Sequence, residues 1–184
     1  MANNNPKFKK HGIITEKEIY EIPKTLSNII NNKEIIIKVA KEIANNNTKH
    51  IFIIGAGSSY HAGFAISYMF NRITKIPTFC EFSMEFQYLI KPILQKEDCI
   101  IAMSQSGETK DTIDSIKLAK DLKNCLTIAI TNDDNSELAK SSDFSLSLLC
   151  EEEKSILATK TYINQLAVLS LLALNIAKEK NTIN

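Results

Sequence analysis

The sequence has no excess of either charge: 22 Lys and Arg stand against 21 Asp and Glu, a net charge of +1. A nucleic-acid-binding domain usually carries a basic excess, so that class of partner is a poor fit. Paired cysteines are missing too. Cys80, Cys99, Cys125 and Cys150 are widely separated, no CxxC pair occurs, and the chain has only 3 histidines. Zinc-type ligand spacing is therefore absent, and no metal or other cofactor is expected. The four cysteines fall in apolar, strand-like runs and read as buried free thiols, which suits a reducing compartment. Long apolar runs are also lacking. The most apolar segment, residues 166–174, is far shorter than the ~20 residues a spanning helix needs. Residues 1–10 are polar and Asn-rich, with no apolar stretch of the kind a signal peptide carries. A soluble, cytoplasmic protein with no membrane partner is the expectation.

What is present is enough for one folded domain. The chain has 184 residues, 44% hydrophobic and 23% charged, which suffices for a hydrophobic core without disulfide or metal staples. Residues 1–17 read as a disordered lead-in and 18–184 as a single domain. In 18–32, Ile19, Ile22, Leu26, Ile29 and Ile30 recur at spacings of three and four, predicting an amphipathic helix with Pro23 near its start. A second helix is expected over 33–44. The period then changes. Short apolar runs at 50–54, 78–82, 98–103, 125–130 and 144–149 alternate with helical patterns at 58–71, 84–90, 111–122, 136–140 and 158–177. Continuous rather than alternating apolar runs point to parallel strands covered on both faces. The predicted fold class is α/β, a three-layer α/β/α sandwich on five parallel strands with two leading helices. The last helix, carrying Leu166, Val168, Leu169, Leu171, Leu172 and Leu174, is apolar on more than one face. Its extra face is expected to meet another subunit or domain.

Ligands of open α/β sheets bind beyond the carboxyl ends of the strands. Three loops there have distinctive content. In Ser104-Gln105-Ser106-Gly107-Glu108-Thr109, three hydroxyls and a glycine precede a helix. Such a loop offers hydroxyls, backbone N–H groups and the positive end of a helix dipole to one anion, and a phosphate monoester suits it. The GxxxxGK[ST] pattern of nucleotide triphosphate sites is missing. A purely structural reading, with Ser106 or Thr109 capping the helix and Gly107 allowing the turn, fits equally well. The second loop, Gly55-Ala56-Gly57-Ser58-Ser59-Tyr60, follows a strand and opens a helix. It admits a dinucleotide reading with Glu81 at the end of the next strand, although Tyr60 stands where a third glycine belongs. In the other reading Gly57 lets the backbone approach a ligand and Ser58 and Ser59 donate hydroxyls. The third loop is the stretch 150–160, CEEEKSILATK.

Taken in order, FIIGAGSSYHAG, SMEFQY, IAMSQSGETKDT, AITNDDNSELAKSSD and EKSILATKTYINQLAVL resemble the motifs of sugar isomerase (SIS) domains. The likeness is greatest to the first SIS domain in the isomerase half of the glucosamine-6-phosphate synthases (glutamine–fructose-6-phosphate aminotransferases). It runs from about residue 18 onward. It implies a five-stranded parallel sheet and a phosphosugar ligand, a hexose phosphate or amino-sugar phosphate. Ser104, Gln105, Ser106 and Thr109 would hold the phosphate, with Ser58 and Ser59 beside the sugar. The segment from Ile156 to Lys160 would close another side. The family pattern VASTK reads ILATK here, so Ala158 removes one hydroxyl.

The synthases also carry a glutaminase domain opened by a cysteine, where this chain has Ala2. Their second SIS domain and tail supply the catalytic glutamate, histidine and Schiff-base lysine, which have no counterparts in this sequence. Isomerisation needs an acid and a base, and the candidates are Glu153, Glu108 and His61. Glu153 is retained for its place near the expected pocket, against the plain reading of a solvated acidic turn. Part of an isomerase, aminotransferase or deaminase, a phosphosugar-sensing module and a self-sufficient single-domain isomerase all remain open. A homodimer or association with a second SIS domain is expected.

Overall fold

The computed structural model describes residues 6–183, with side chains from residue 12. Its elements are α1 (Pro6–Asn31), α2 (Glu34–Asn45), β1 (Ile51–Gly55), α3 (Gly57–Thr74), β2 (Thr78–Phe82), β3 (Cys99–Met103), α4 (Lys110–Lys123), β4 (Leu126–Thr131), α5 (Glu137–Ser141), β5 (Phe144–Ser147) and α6 (Lys160–Glu179). The strands form one sheet in the order β2-β1-β3-β4-β5, every neighbouring pair parallel. This is the α/β sandwich expected from the run lengths.

Strand residues alternate between two buried layers. Ile51, Ile53, Ile101, Met103, Ile128 and Ile130 pack with α2, α3 and α6, together with Ile29 of α1. Phe52, Ile54, Ile100, Ala102 and Ala129 pack on the opposite face against Ile113 and Ile116 of α4 and Leu138 of α5. Successive side chains of a strand point to opposite faces, so a sheet covered on both sides needs unbroken apolar runs. Two helices end on left-handed residues that release the chain, Lys75 after α3 and Asn124 after α4.

Several boundaries differ from the sequence expectations. Helix α1 begins at Pro6 and holds Pro23 in its interior, so the part of the lead-in from residue 6 is helical; residues 1–5 of it lie outside the described residues. An interior proline costs about 3 kcal/mol in an isolated helix. Here tertiary contacts of Glu18, Glu21, Thr25 and Asn28 hold both flanks. The helical pattern at 84–90 becomes two 3₁₀ turns around a π turn over Ser83–Ile93. Strand β5 stops at Ser147 because Leu149 is left-handed, with φ of 49°. The extra apolar face of α6 is covered within the chain by α1, α2 and α3, and no α6 side chain is among the exposed large hydrophobics. Of the four free thiols, Cys99, Cys125 and Cys150 are buried, whereas Cys80 on the edge strand is half-buried. Among the described residues no helix is long and apolar enough to cross a membrane.

Candidate functional site

The strand order reverses direction between β1 and β3. One connection from this pair goes outward to β2 and the other to β4, which opens a crevice at the carboxyl ends. Register places Gly55 beside Met103. The turn into α3 and the Ser104–Thr109 loop therefore leave the sheet side by side, each leading into the N-terminus of a helix.

The Ser104–Thr109 loop is held by its neighbours rather than by its own helix. The Ser104 and Thr109 hydroxyls lie 2.8 Å apart in a mutual hydrogen bond, and Gly107 N–H donates to Ser104 Oγ at 3.1 Å. Thr109 occupies the N-cap position of α4 without a side-chain cap bond, and Ser106 Oγ accepts from Glu108 N–H at 3.2 Å. The simple capping role is thus not what these hydroxyls perform. From the β4 side, Asn132 N–H and the Thr131 hydroxyl donate to Gln105 O at 3.0 and 3.3 Å. Leu138 N–H donates to Gly107 O at 3.0 Å, and Glu137 N–H donates to Glu108 Oε1 at 3.0 Å. Gly107 has φ of 69°, and a Cβ on it would stand 2.1 Å from Ser136 Oγ and 2.8 Å from Thr131 Oγ1. Only glycine fits. Among the described residues, the backbone N–H groups of Gln105, Ser106 and Thr109 donate to no protein acceptor. Unpaired N–H groups, the exposed Ser106 hydroxyl and a helix N-terminus are together groups that can cradle an anion.

Across the crevice, Ser58 is exposed in the first turn of α3 and Ser59 is buried. Ser59 Oγ accepts from Gln165 Nε2 of α6 at 2.8 Å. Tyr60 fills no glycine role. The close helix-to-sheet approach occurs one turn later at Gly63, where a Cβ would come within 2.6 Å of Ile53 Cγ2. The dinucleotide reading also loses its topology, since the sheet order is that of five-stranded flavodoxin-like sheets and not the six-stranded dinucleotide order.

The third loop is clamped by two carboxylates. Glu153 Oε1 accepts from Thr159 N–H at 2.7 Å and from the Thr159 hydroxyl at 2.8 Å, while Oε2 accepts from the Thr161 hydroxyl. This carboxylate closes the N-terminus of α6, where its charge also suits the dipole, so it is neither a solvated turn nor a free base. Glu18, 4% exposed, accepts from the backbone N–H groups of Lys154 and Ser155. Lys160 is buried and donates to Glu21 Oε2 at 2.8 Å. Burial would lower the Lys160 pKa, but the Glu21 bond together with the charges of Glu21 and Glu18 outweighs it and holds the amine above its ordinary value. Ile156 is 82% exposed and Leu157 67%; they line an apolar groove of about 600 Å³ with Ile19 and Tyr20 of α1. Ser58, Ser59, Ser104, Gln105, Ser106 and Thr109 gather at the crevice, whereas Ile156 lies on that outer groove. His61 stacks edge-on against Tyr60.

Sequence reasoning missed Gln165, Gly63 and Glu18. Asn164-Gln165 is a polar pair inside an otherwise apolar helix, which was the available signal for the first.

The SIS domain family model matches residues 45–175. This chain belongs to the SIS domain family. The SIS domain here is 39% identical over 168 residues to a glutamine–fructose-6-phosphate aminotransferase of Thermococcus kodakarensis, covering 90% of this chain and 27% of that protein. Against the enzyme of the same description from Campylobacter jejuni it is 34% identical over 187 residues, covering 98% and 31%. Among solved structures, the C-terminal domain of glucosamine-fructose-6-phosphate aminotransferase from Francisella tularensis superposes with a TM-score of 0.85 at 33% identity. That match covers 93% of this chain and 49% of the other. The chain thus spans under a third of the length of these curated relatives.

Proposed function

We propose that this SIS domain binds a hexose phosphate or amino-sugar phosphate, with Ser104, Gln105, Ser106 and Thr109 on the phosphate and Ser58 and Ser59 beside the sugar. The observation that carries the reading is the cradle of unpaired N–H groups and hydroxyls around Gly107, facing the α3 turn across the switch point. Fructose 6-phosphate in the names of the relatives supports a phosphosugar as the ligand. No basic side chain lies within the loop, which suits a monoester better than a polyphosphate carrying a metal ion.

The domain acts as the binding half of an isomerase or aminotransferase, and acid–base and Schiff-base groups come from a second SIS domain. Two observations support this division. Glu153 and Glu108 are both committed to backbone bonds within the loops, and the Francisella structure is about twice as long as the matched segment. Four free thiols fit a reducing cytoplasm.

The test is thermal unfolding of the purified chain with glucose, glucose 6-phosphate, fructose 6-phosphate, glucosamine 6-phosphate and NAD. A phosphosugar at a hundredfold excess over its Kd stabilises by about 2.7 kcal/mol. Equal shifts from glucose and glucose 6-phosphate, or a larger one from NAD, overturn the reading. Formation of glucosamine 6-phosphate by this chain alone, from fructose 6-phosphate with glutamine or ammonia, overturns the division of labour.

A further inference from the structure

We infer that Gln165, on α6, is a positioning residue that fixes the Ser59 hydroxyl as a hydrogen-bond donor toward the sugar. The inference rests on the phosphosugar reading and extends it to a residue outside the three loops.

Gln165 is 1% exposed and Ser59 6%, and Gln165 Nε2 donates to Ser59 Oγ at 2.8 Å. A hydroxyl has one proton to give and lone pairs to accept with. Once Gln165 supplies the proton in this contact, the hydroxyl's own proton must point elsewhere. Among the described residues Ser59 Oγ has no second partner, so that proton is left for an acceptor outside the chain. The Gln165 amide pays for this arrangement: its Oε1 is buried without a hydrogen-bond partner. Buried polar atoms of this kind are rare and call for a reason. Turning the amide over would give Ser59 an acceptor instead, capture its proton, and leave a buried NH₂ with two unused donors. The orientation present keeps the proton free. Gly55 permits this geometry, because a Cβ there would press to 3.2 Å on Ser59 Cβ and to 3.0 Å on Tyr60 N. Among the described residues no hydrogen bond joins Gln165 to the Ser104–Thr109 loop, so phosphate and sugar recognition are taken as separable.

The experiment is isothermal calorimetry of the purified chain with fructose 6-phosphate and, separately, inorganic phosphate. The variants are Gln165→Met, Gln165→Asn, Ser59→Ala and the double change Gln165→Met with Ser59→Ala. Gln165→Asn keeps an amide but draws it back by one methylene, and it replaces Gln165→Met if that variant does not fold. Each Gln165 variant is expected to weaken fructose 6-phosphate about tenfold, the scale of one hydrogen bond, while inorganic phosphate binds as in the parent. In the Ser59→Ala background, Gln165→Met is expected to cost nothing further. A generally loosened fold would weaken both ligands. Equal loss for both ligands, undiminished sugar-phosphate affinity, or additive losses in the double variant overturn the inference while the phosphosugar reading stands. A parent chain that binds neither ligand overturns the phosphosugar reading, and this inference with it.

Discussion

The carboxylate of Glu18, on the first helix, accepts the backbone N–H of Lys154 at 2.5 Å although 136 residues separate them. The contact is one of a row. Thr15 meets Ser155, Glu21 meets Lys160, and Thr25 meets Asn164, all at spacings of three or four along α1 and hence on one helical face. The segment leading into α6 is therefore carried by a helix from the other end of the chain.

Glu18→Ala leaves two backbone donors of that segment without their charged acceptor. A buried bond of this kind is worth about 1.5–3 kcal/mol, and urea unfolding is expected to show a loss of that size. Trypsin should cut after Lys154 faster than in the parent. Unchanged stability with unchanged cleavage would show that the remaining contacts of α1 suffice.

Gly107→Ala puts a Cβ at 2.1 Å from Ser136 Oγ in a left-handed conformation with φ of 69°. The strained backbone alone costs on the order of 1 kcal/mol or more, and relieving the clash must displace α5 or the loop. Loss of phosphosugar binding together with a lowered Tm is the expected result. Full binding in the variant would show that the loop geometry does not matter to the ligand.

Ser106→Ala and Glu153→Gln should part company. The first removes a proposed phosphate contact and is expected to weaken phosphosugar binding by about 1.5–3 kcal/mol, with little change in stability because Ser106 is exposed. The second disturbs the bonds to Thr159 and Thr161 that start α6. It should lower the unfolding midpoint in urea and leave phosphosugar affinity close to the parent's.

The layers and the crevice loops were legible in the sequence because they depend on local signals. Apolar runs such as 50–54 and 98–103 announce doubly covered strands, and Gly107 among hydroxyls announces a special turn. The roles of Glu18, Glu21 and Gln165 were not legible, since each acts on a residue more than a hundred positions away, and even the polar Asn164-Gln165 pair in an apolar helix does not say which residue it meets. Glu153 in its acidic run looked like a surface turn for the same reason: its bonds depend on where α6 begins. The apolar excess of α6 misled as well, because a helix embraced by three others carries the same pattern as one that waits for a partner.

Asp143 supplies a pH test. Burial raises its pKa, but bonds from Lys120 and Thr127 outweigh that and hold the carboxyl below its ordinary value. The unfolded chain therefore binds more protons than the native state just below the ordinary aspartate pKa of about 3.9. The stabilisation is present above that pH and fades as pH falls through the lower native value. Denaturation curves of the parent and Asp143→Asn should differ at pH 6 and converge as pH falls below about 4. A constant gap across this range would assign the difference to packing.

The thiols give a chemical counterpart. Burial pushes Cys80 up to about 12 and Cys125 and Cys150 to about 11, and the thiolate is the reactive form. Iodoacetamide at pH 7.5 is expected to label the native protein slowly and the urea-unfolded protein at all four cysteines. Rapid native labelling at Cys125 or Cys150 would contradict the packing around them.

Helix α2 ends at Asn45, where the family match begins, yet its Ile36, Val39, Ala40 and Ile43 belong to the same buried layer as Val168, Leu169 and Leu172 of α6. A polypeptide started at residue 45 would keep every motif of the crevice and lose the cover of its longest buried helix. It would expose a greasy flank on α6 and set the 150–160 segment adrift. The family model thus starts inside a buried layer that extends ahead of it, and the least motif-bearing quarter of the chain is what keeps water off one flank of α6.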